Sequence, residues 1–138
     1  MVKDSKYSVN NSVTVRMMKQ VSRPKDPSKQ RLMLRDAPKH VLPKLMSAHL
    51  APELRTKYGR RSLPLRVGDT VKVMRGEYDG VQGKVKRVNR ERQLVYIEGL
   101  TRKRADGRVV DIPVHVSNLM IVALNLDDRL RKEKLGEG

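Results

Sequence analysis

The sequence predicts a mostly β fold, in which a small β-barrel follows a basic N-terminal arm that contains short helices. Residues 67–88 read VGDTVKVMRGEYDGVQGKVKRV, which is two runs of alternating apolar and polar residues on either side of a glycine-containing loop. The alternation returns after residue 92 and continues in short runs to residue 124. A period of two is the pattern of half-buried strands, and these runs are too short for anything but a small sheet or barrel.

The first hairpin of this barrel places glycines beside positive charge. A non-glycine residue is strained at positive φ, so Gly76, Gly80 and Gly83 indicate tight bends or a close approach of the backbone to a partner. Ordinary turn glycines would give the same pattern. The functional interpretation is favoured because basic residues surround the loop, where phosphates could be bound; they are Lys72, Arg75, Lys84, Lys86 and Arg87.

The remaining strands follow in order. Residues 93–98 alternate as a third strand, and Asp106-Gly107 is typical of a tight turn. That turn places four basic residues at the tip of a hairpin: Arg102, Lys103, Arg104 and Arg108. Residues 109–114 and 119–124 supply the last strands, with Pro113 at an edge or bulge. His115, Ser117 and Asn118 then lie in the turn before the last of five strands.

Two short helices are predicted upstream of the barrel. The first begins with Asp36 as N-cap and proline at 38 in the opening turn, and Pro43 interrupts it because proline lacks the amide donor. The second spans residues 52–58, with Pro52 at its first position and Gly59 closing it. Glu53 lies near the positive end of this helix dipole, as expected for a stable helix.

Charge indicates a polyanionic partner. The chain has 31 Lys and Arg against 15 Asp and Glu, a net charge of +16 on 138 residues. Residues 23–66 hold 12 basic and 3 acidic residues, so this arm is the most basic segment. Self-repulsion opposes its compaction, and we expect it to gain order when a polyanion binds. A solvated basic surface is the alternative interpretation.

Aromatic residues are too few for a surface that stacks successive unpaired bases. The chain has four tyrosines and neither Phe nor Trp. Readers of single-stranded RNA depend on aromatic platforms, so recognition of folded RNA through its backbone is favoured. Tyr58 and Tyr78 lie among basic residues and are candidate contacts with a base or sugar, whereas Tyr96, between Val95 and Ile97, is interpreted as core-edge packing.

Catalysis and metal binding find little support. His40, His49 and His115 lack metal-ligand spacing to one another or to a carboxylate, and the chain has no cysteine. The Asp127-Asp128 pair follows the last strand in a charge-balanced segment, so a solvated tail is favoured over an acid/base pair. The glycine loop lacks the Gly-Lys-Ser/Thr ending of a nucleotide-binding loop. We expect no enzyme activity, no metal, no cofactor and no small-molecule substrate.

Several positions carry a family resemblance. The pattern of Gly68, Asp69, Val71, Val73, Gly76, Gly80, Gly83 and Val85 resembles a KOW motif, the hairpin core of an SH3-like barrel. The upstream stretch DAPKHVLPKLMSAHLAPELRTKYGRRSLPLRVGD and the downstream stretch YIEGLTRKRADGRVVDIPVHVSNLMIV resemble the archaeal and eukaryotic form of universal large-subunit ribosomal protein twenty-four. The resemblance covers residues 23–126. Pro43 and Val116 depart from the family pattern, which has a basic residue and a proline there.

The resemblance implies a structural constituent of the large ribosomal subunit that binds large-subunit rRNA. It further implies an early role in assembly, binding near the 5′ part of that rRNA and a position near the rim of the polypeptide exit tunnel. Neighbouring ribosomal proteins would be its other partners. We therefore expect a monomer within the cytoplasmic ribosome, without a membrane anchor.

The residues expected to contact rRNA are mainly cations that position phosphates rather than read bases. They are Lys29, Arg31, Arg35, Lys39, Lys44, Arg55, Lys57, Tyr58, Arg60, Arg61, Arg75, Tyr78, Lys84, Lys86, Arg87, Arg102, Lys103, Arg104, Arg108 and His115, with Gly76, Gly80 and Gly83 forming the KOW loop.

Four segments are predicted. Residues 1–22 form a disordered extension, 23–62 the basic arm, 63–124 the KOW barrel and 125–138 a charged tail. Met17-Met18 directly precedes the region of resemblance and is a candidate natural start of translation. No secretion signal or apolar run of about 20 residues is present, which favours an intracellular protein.

Two other functions stay open at this point. A transcription elongation module with a KOW barrel should carry an additional αβ domain before the barrel, and the arm offers only short helices. A histone-like DNA binder should prefer duplex DNA and usually dimerises, yet no heptad pattern offers an interface. An RNA-modifying enzyme is a more distant alternative, because no reactive group is available to perform the chemistry.

Overall fold

The computed structural model describes residues 25–136, and the chain divides into two compact units, residues 1–37 and 38–138. The described part of the first unit contains one helix, α1 (Pro27–Arg35). The second unit contains, in chain order, α2 (Leu42–Leu45), β1 (Ser47–Leu50), α3 (Pro52–Tyr58), β2 (Ser62–Pro64), β3 (Thr70–Val73), β4 (Gln82–Asn89), β5 (Leu94–Lys103), β6 (Val109–His115), a 3₁₀ turn (Val116–Asn118), β7 (Leu119–Ala123) and α4 (Arg129–Leu135).

Helix α1 begins where an aspartate precedes a proline. Asp26 is the N-cap, and its side chain accepts a hydrogen bond from the backbone N–H of Ser28 at 3.1 Å. Pro27 occupies the first turn, where its missing N–H leaves no helical hydrogen bond unmade. None of the helix's residues is buried.

The predicted helix start at Asp36 is wrong. Asp36 is the C-cap of α1, and its backbone N–H bonds to the carbonyl of Leu32. The interruption at Pro43 is also wrong, because Pro43 lies in the first turn of α2, a position that tolerates proline. Helix α3 is confirmed at Pro52–Tyr58, with the C-cap Gly59 in the left-handed conformation at φ 61°.

The mostly β fold is confirmed, with seven strands where five were predicted. The strand order is β2-β1-β7-β3-β4-β5-β6, so the first and last strands of the chain lie side by side. Strands β1 and β7 are parallel, with His49 opposite Met120, and all other neighbouring pairs are antiparallel. Of the two unpredicted strands, β1 lies within the segment assigned to the arm, and β2 crosses from that segment into the one assigned to the barrel. The segment boundaries themselves stay predictions.

Strands β4, β5 and β6 contain the predicted hairpins and two irregularities. In the β4–β5 pair the register shifts between Val85 and Arg87, so that β4 holds one extra residue. In the β5–β6 pair it shifts between Tyr96 and Thr101. Gly107 closes the β5–β6 hairpin at φ 83°, as its Asp-Gly sequence predicts. Pro113 lies on β6, the last strand in the sheet order, in agreement with the predicted edge position.

The hydrophobic core lies within the second unit and is built from both predicted and unpredicted strands. Its fully buried members include Leu50 of β1, Val71 of β3, Ile97 of β5 and Ile121 of β7. Alternate residues of each short strand point into it, which is why four-residue strands suffice.

None of the helices within residues 25–136 has the length and apolar character needed to cross a membrane. The predicted extension at 1–22 and the candidate start at Met17-Met18 lie outside the described residues.

Candidate nucleic-acid interface

The predicted contact residues all reach solvent in the described structure. Every lysine and arginine of that set is exposed, as is His115, while Tyr58 and Tyr78 are half-buried. Exposure is what phosphate binding requires, because a buried ammonium or guanidinium would already be neutralised by a protein partner. The cations lie in α1, in and beside α2 and α3, in the β3–β4 loop, on β4 and at the β5–β6 tip.

The β3–β4 loop is held at its base by main-chain bonds. The Val73 N–H donates to the Val81 carbonyl and the Gly80 N–H donates to the Val73 carbonyl, each at 2.9 Å. Gly76 and Gly80 have φ of 101° and 85°, so both serve the turn. Arg75 is exposed within this loop, while the Tyr78 ring packs against the core. The loop therefore presents the Arg75 guanidinium to solvent from a hydrogen-bonded backbone, and Tyr78 of the same loop is half-buried.

Gly83 lies in β4 rather than in the loop. A Cβ added at this position would come within 2.6 Å of Ile97 Cγ2 and 2.8 Å of the Glu98 carbonyl oxygen. Its small size therefore permits β4 and β5 to approach each other. The next residue, Lys84, is exposed on β4.

The β5–β6 tip forms a projecting basic hairpin. The Gly107 N–H donates to the Arg104 carbonyl at 3.0 Å, and the Asp106 side chain accepts from the Arg108 N–H at 3.0 Å, so the turn is internally bonded. Further back along β6, Asp111 accepts hydrogen bonds from Lys86 of β4, at 2.9 Å for the shorter contact. Lys86 is therefore already paired, and Arg108 lies 3.8 Å from the Asp106 carboxylate, while Arg102, Lys103 and Arg104 extend into solvent.

Tyr96 and Arg87 form a stacked pair. Arg87 lies opposite Tyr96 in the β4–β5 register, and its guanidinium carbon is 4.3 Å from the centroid of the tyrosine ring. Tyr96 is half-buried. Tyr96 thus packs against Arg87, which is itself one of the predicted phosphate contacts.

Several cations around α3 and the 3₁₀ turn already have contacts. Arg55 Nε donates to the Leu50 carbonyl at 2.8 Å, and Arg60 donates to the Lys134 carbonyl at 2.8 Å. The ammonium of Lys57 lies 5.0 Å from the centre of the Tyr58 ring. His115 Nδ1 lies 2.8 Å from the Ser117 hydroxyl and caps the turn, as the predicted position before the last strand allows.

In the first unit, α1 exposes Lys29 and Arg31, while Arg35 is paired with its neighbour. Arg35 Nε donates to the Asp36 carboxylate at 2.9 Å, and this hydrogen bond lowers the pKa of Asp36 below its usual value. The pair is fully solvated, so a phosphate could displace the carboxylate at little cost.

The sequence interpretation missed an ionic cluster with a buried centre, which we call the Asp69 cluster: Asp69, Arg131, Arg66, Asn125 and Asp128. Asp69 has no exposed surface and Arg131 is 7% exposed. The guanidinium of Arg131 donates to both carboxylate oxygens of Asp69, at 2.6 and 2.8 Å. Backbone N–H groups of Arg66 and Asn125 complete the carboxylate's shell at 2.9 and 2.8 Å. This cluster fixes α4 against the start of β3.

Asp128 begins α4 and joins the cluster from the other side. Its side chain accepts from the Leu130 N–H at 3.0 Å as the helix N-cap, and it accepts a hydrogen bond from Arg66. The bond from Arg66 holds the pKa of Asp128 below its ordinary value. Residues 125–136 thus contain an anchored helix where a solvated tail was predicted. The sequence held one signal of this cluster, because Asp69 interrupts the apolar alternation of residues 67–73.

The described residues offer no group of three His, Cys, Asp or Glu side chains able to hold a metal ion. What the arrangement provides is exposed positive charge on a rigid barrel and on the helices that precede it.

Comparisons with known proteins identify similar chains. The sequence profile of the family described as "Ribosomal proteins L26 eukaryotic, L24P archaeal" matches residues 24–137. The large ribosomal subunit protein uL24 of Korarchaeum cryptofilum (strain OPF8) is 49% identical over 109 residues. That match spans 79% of this chain and 83% of the relative.

Proposed function

Because this chain belongs to the family of eukaryotic L26 and archaeal L24P ribosomal proteins, we propose that it binds large-subunit rRNA through phosphate contacts and supports subunit assembly near the rim of the exit tunnel. Its family is one of structural proteins of the large subunit, not of enzymes. The proposed partners are the rRNA and neighbouring ribosomal proteins, within the cytoplasmic ribosome.

The observation that carries the rRNA proposal is the exposure of all predicted cationic contacts. A net charge of +16 would destabilise an isolated compact protein through self-repulsion, whereas a polyanion neutralises it. Arginine and lysine contacts to phosphates fix position and orientation without reading bases, which suits a protein that binds one folded RNA at one place. The early role in assembly and the location at the tunnel rim are supported by family membership.

A sucrose gradient of native lysate tests the proposal directly. We expect the protein to sediment with the large subunit at stoichiometric level in low salt and to remain there in high salt. Mass spectrometry of each fraction measures this. Recovery in polymerase or chromatin fractions, with none on ribosomes, would overturn the proposal.

Salt titration measures the number of phosphate contacts. Replacing Arg75 or Lys84 with glutamine should weaken binding to a transcript of the 5′ part of the large-subunit rRNA and should lower the slope of log affinity against log salt by about 0.9 per residue if the contacted phosphates are in a duplex, with less expected for single strands. Arg129→Gln is the matched control, because Arg129 is exposed but lies outside the predicted contact set. An unchanged slope for both test variants would remove Arg75 and Lys84 from the interface.

A further inference from the structure

A β-bulge in β4 determines where Arg87 points. Val85 is buried opposite Ile97, and strict alternation would turn residue 87 toward the same core. The extra residue, Lys86, shifts the phase by one. Arg87 consequently lies opposite Tyr96 and is exposed, while the next residue, Val88, packs against the core. Bulges often re-aim a side chain in this way at functional positions.

Because of the bulge, the planar guanidinium of Arg87 lies over the Tyr96 ring. The Arg87 guanidinium carbon lies 4.3 Å from the centre of the Tyr96 ring, a distance typical of a guanidinium stacked on an aromatic face. Such stacking restrains the guanidinium plane and leaves its opposite face available, since Arg87 is exposed. Lys57 also lies over a tyrosine ring, at 5.0 Å, but an ammonium has no planar face to present.

We propose that the stacked Arg87 and Tyr96 side chains form a contact site for one unpaired nucleobase of the bound RNA. This rests on the proposed rRNA-binding function and adds a base contact to a surface otherwise expected to bind phosphates. RNA-binding proteins stack splayed-out bases on guanidinium planes as well as on aromatic rings. Arg87 contacts the base, and Tyr96 is a positioning residue that holds the guanidinium flat.

Positive charge beside the Arg87 and Tyr96 pair could bind the phosphates that flank the stacked base. Arg87 also lines a groove with Lys39 and Arg90, which are both exposed, against the single carboxylate of Glu91. Leu42 and Val88 add apolar surface to the same groove. Positive charge next to a stacking surface is the usual arrangement at single-nucleotide contacts.

Two synthetic RNA hairpins test the inference with the full-length protein. One carries a single bulged 2-aminopurine and the other is the same hairpin without the bulge. We expect the wild-type protein to prefer the bulged hairpin by about tenfold and to change the fluorescence of the 2-aminopurine through stacking. Arg87→Lys should abolish both effects while the salt slope stays unchanged, because the charge remains but the plane is lost.

Variants of Tyr96 test whether its ring positions the Arg87 guanidinium, because they leave the charge of Arg87 in place. Tyr96→Phe should retain the preference and the fluorescence change, and Tyr96→Leu should lose both. Equal binding of the two hairpins by the wild-type protein, or an undiminished preference in Arg87→Lys, would overturn the base contact while leaving phosphate binding in place. Failure of the wild-type protein to bind either hairpin, together with its absence from ribosomes in the sucrose gradient, would instead count against the proposed function itself.

Discussion

Replacing Arg131 with methionine is expected to lower the free energy of unfolding by about 3–5 kcal/mol, the usual cost of breaking a buried ion pair from one side. The loss is large because the Asp69 carboxylate, which has no exposed surface, would retain two backbone donors but lose its guanidinium partner. Methionine retains much of the apolar volume of the arginine stem, so the change isolates the charge and its hydrogen bonds. Urea unfolding followed by circular dichroism measures the effect.

The control for this prediction lies two residues away on the same helix. Arg129 is exposed and bonds to Glu133 at 3.0 Å, so Arg129→Met should change stability by less than about 0.5 kcal/mol. Asp69→Asn should also destabilise, and the double variant Asp69→Asn with Arg131→Met should cost less than the sum of the two single changes. Additive effects, or an Arg131→Met variant as stable as the wild type, would show that the Asp69 cluster does not hold α4 in solution.

Substituting Gly83 with alanine is expected to destabilise the barrel by about 1–3 kcal/mol through overpacking. The new Cβ would lie 2.6 Å from Ile97 Cγ2 and 2.8 Å from the Glu98 carbonyl oxygen. Because the second contact is with backbone, the strands must separate rather than a side chain rotate. The midpoint of thermal unfolding measures the loss.

A second substitution tests whether the close contact with Ile97 causes this loss of stability. Ile97→Leu removes the Cγ2 methyl, so in the Gly83→Ala background it should recover part of the lost stability, while the clash with the Glu98 carbonyl remains. Lys84→Ala, at the next and exposed position of β4, should have little effect on stability. A Gly83→Ala protein with wild-type stability would contradict the close approach of β4 and β5.

The features that the sequence predicted correctly depend on signals between neighbouring residues. Helix α3 has proline in its first turn and Gly59 at its end, and both signals act within a few residues. The false helix start at Asp36 shows the limit of such signals, because Asp26, Asp36 and Asp111 are each followed closely by proline and of these only Asp26 is a helix N-cap. Proline follows Asp26 directly, at the first position of α1, whereas one residue separates it from Asp36.

The features that escaped prediction depend on residues far apart in the chain. Strand β1 has four residues, too few for a period to be recognised, and it pairs with β7, which is distant in sequence, with His49 opposite Met120. Asp69 and Arg131 are 62 positions apart. The exposed cations of the candidate interface were predictable from composition. The Arg87 and Tyr96 stack depends on the bulge at residue 86, and the break in alternation between Val85 and Val88 does not by itself show which residue of the partner strand Arg87 faces.

The Asp69 cluster has a consequence for the order of synthesis. A ribosome adds Arg131 long after Asp69, which lies 62 positions earlier in the chain. Throughout that interval the burial of the Asp69 carboxylate is opposed by its own desolvation, and until residues 119–123 are made β1 also lacks its parallel neighbour β7. We therefore expect the native barrel to reach its full stability only after Arg131 has been added.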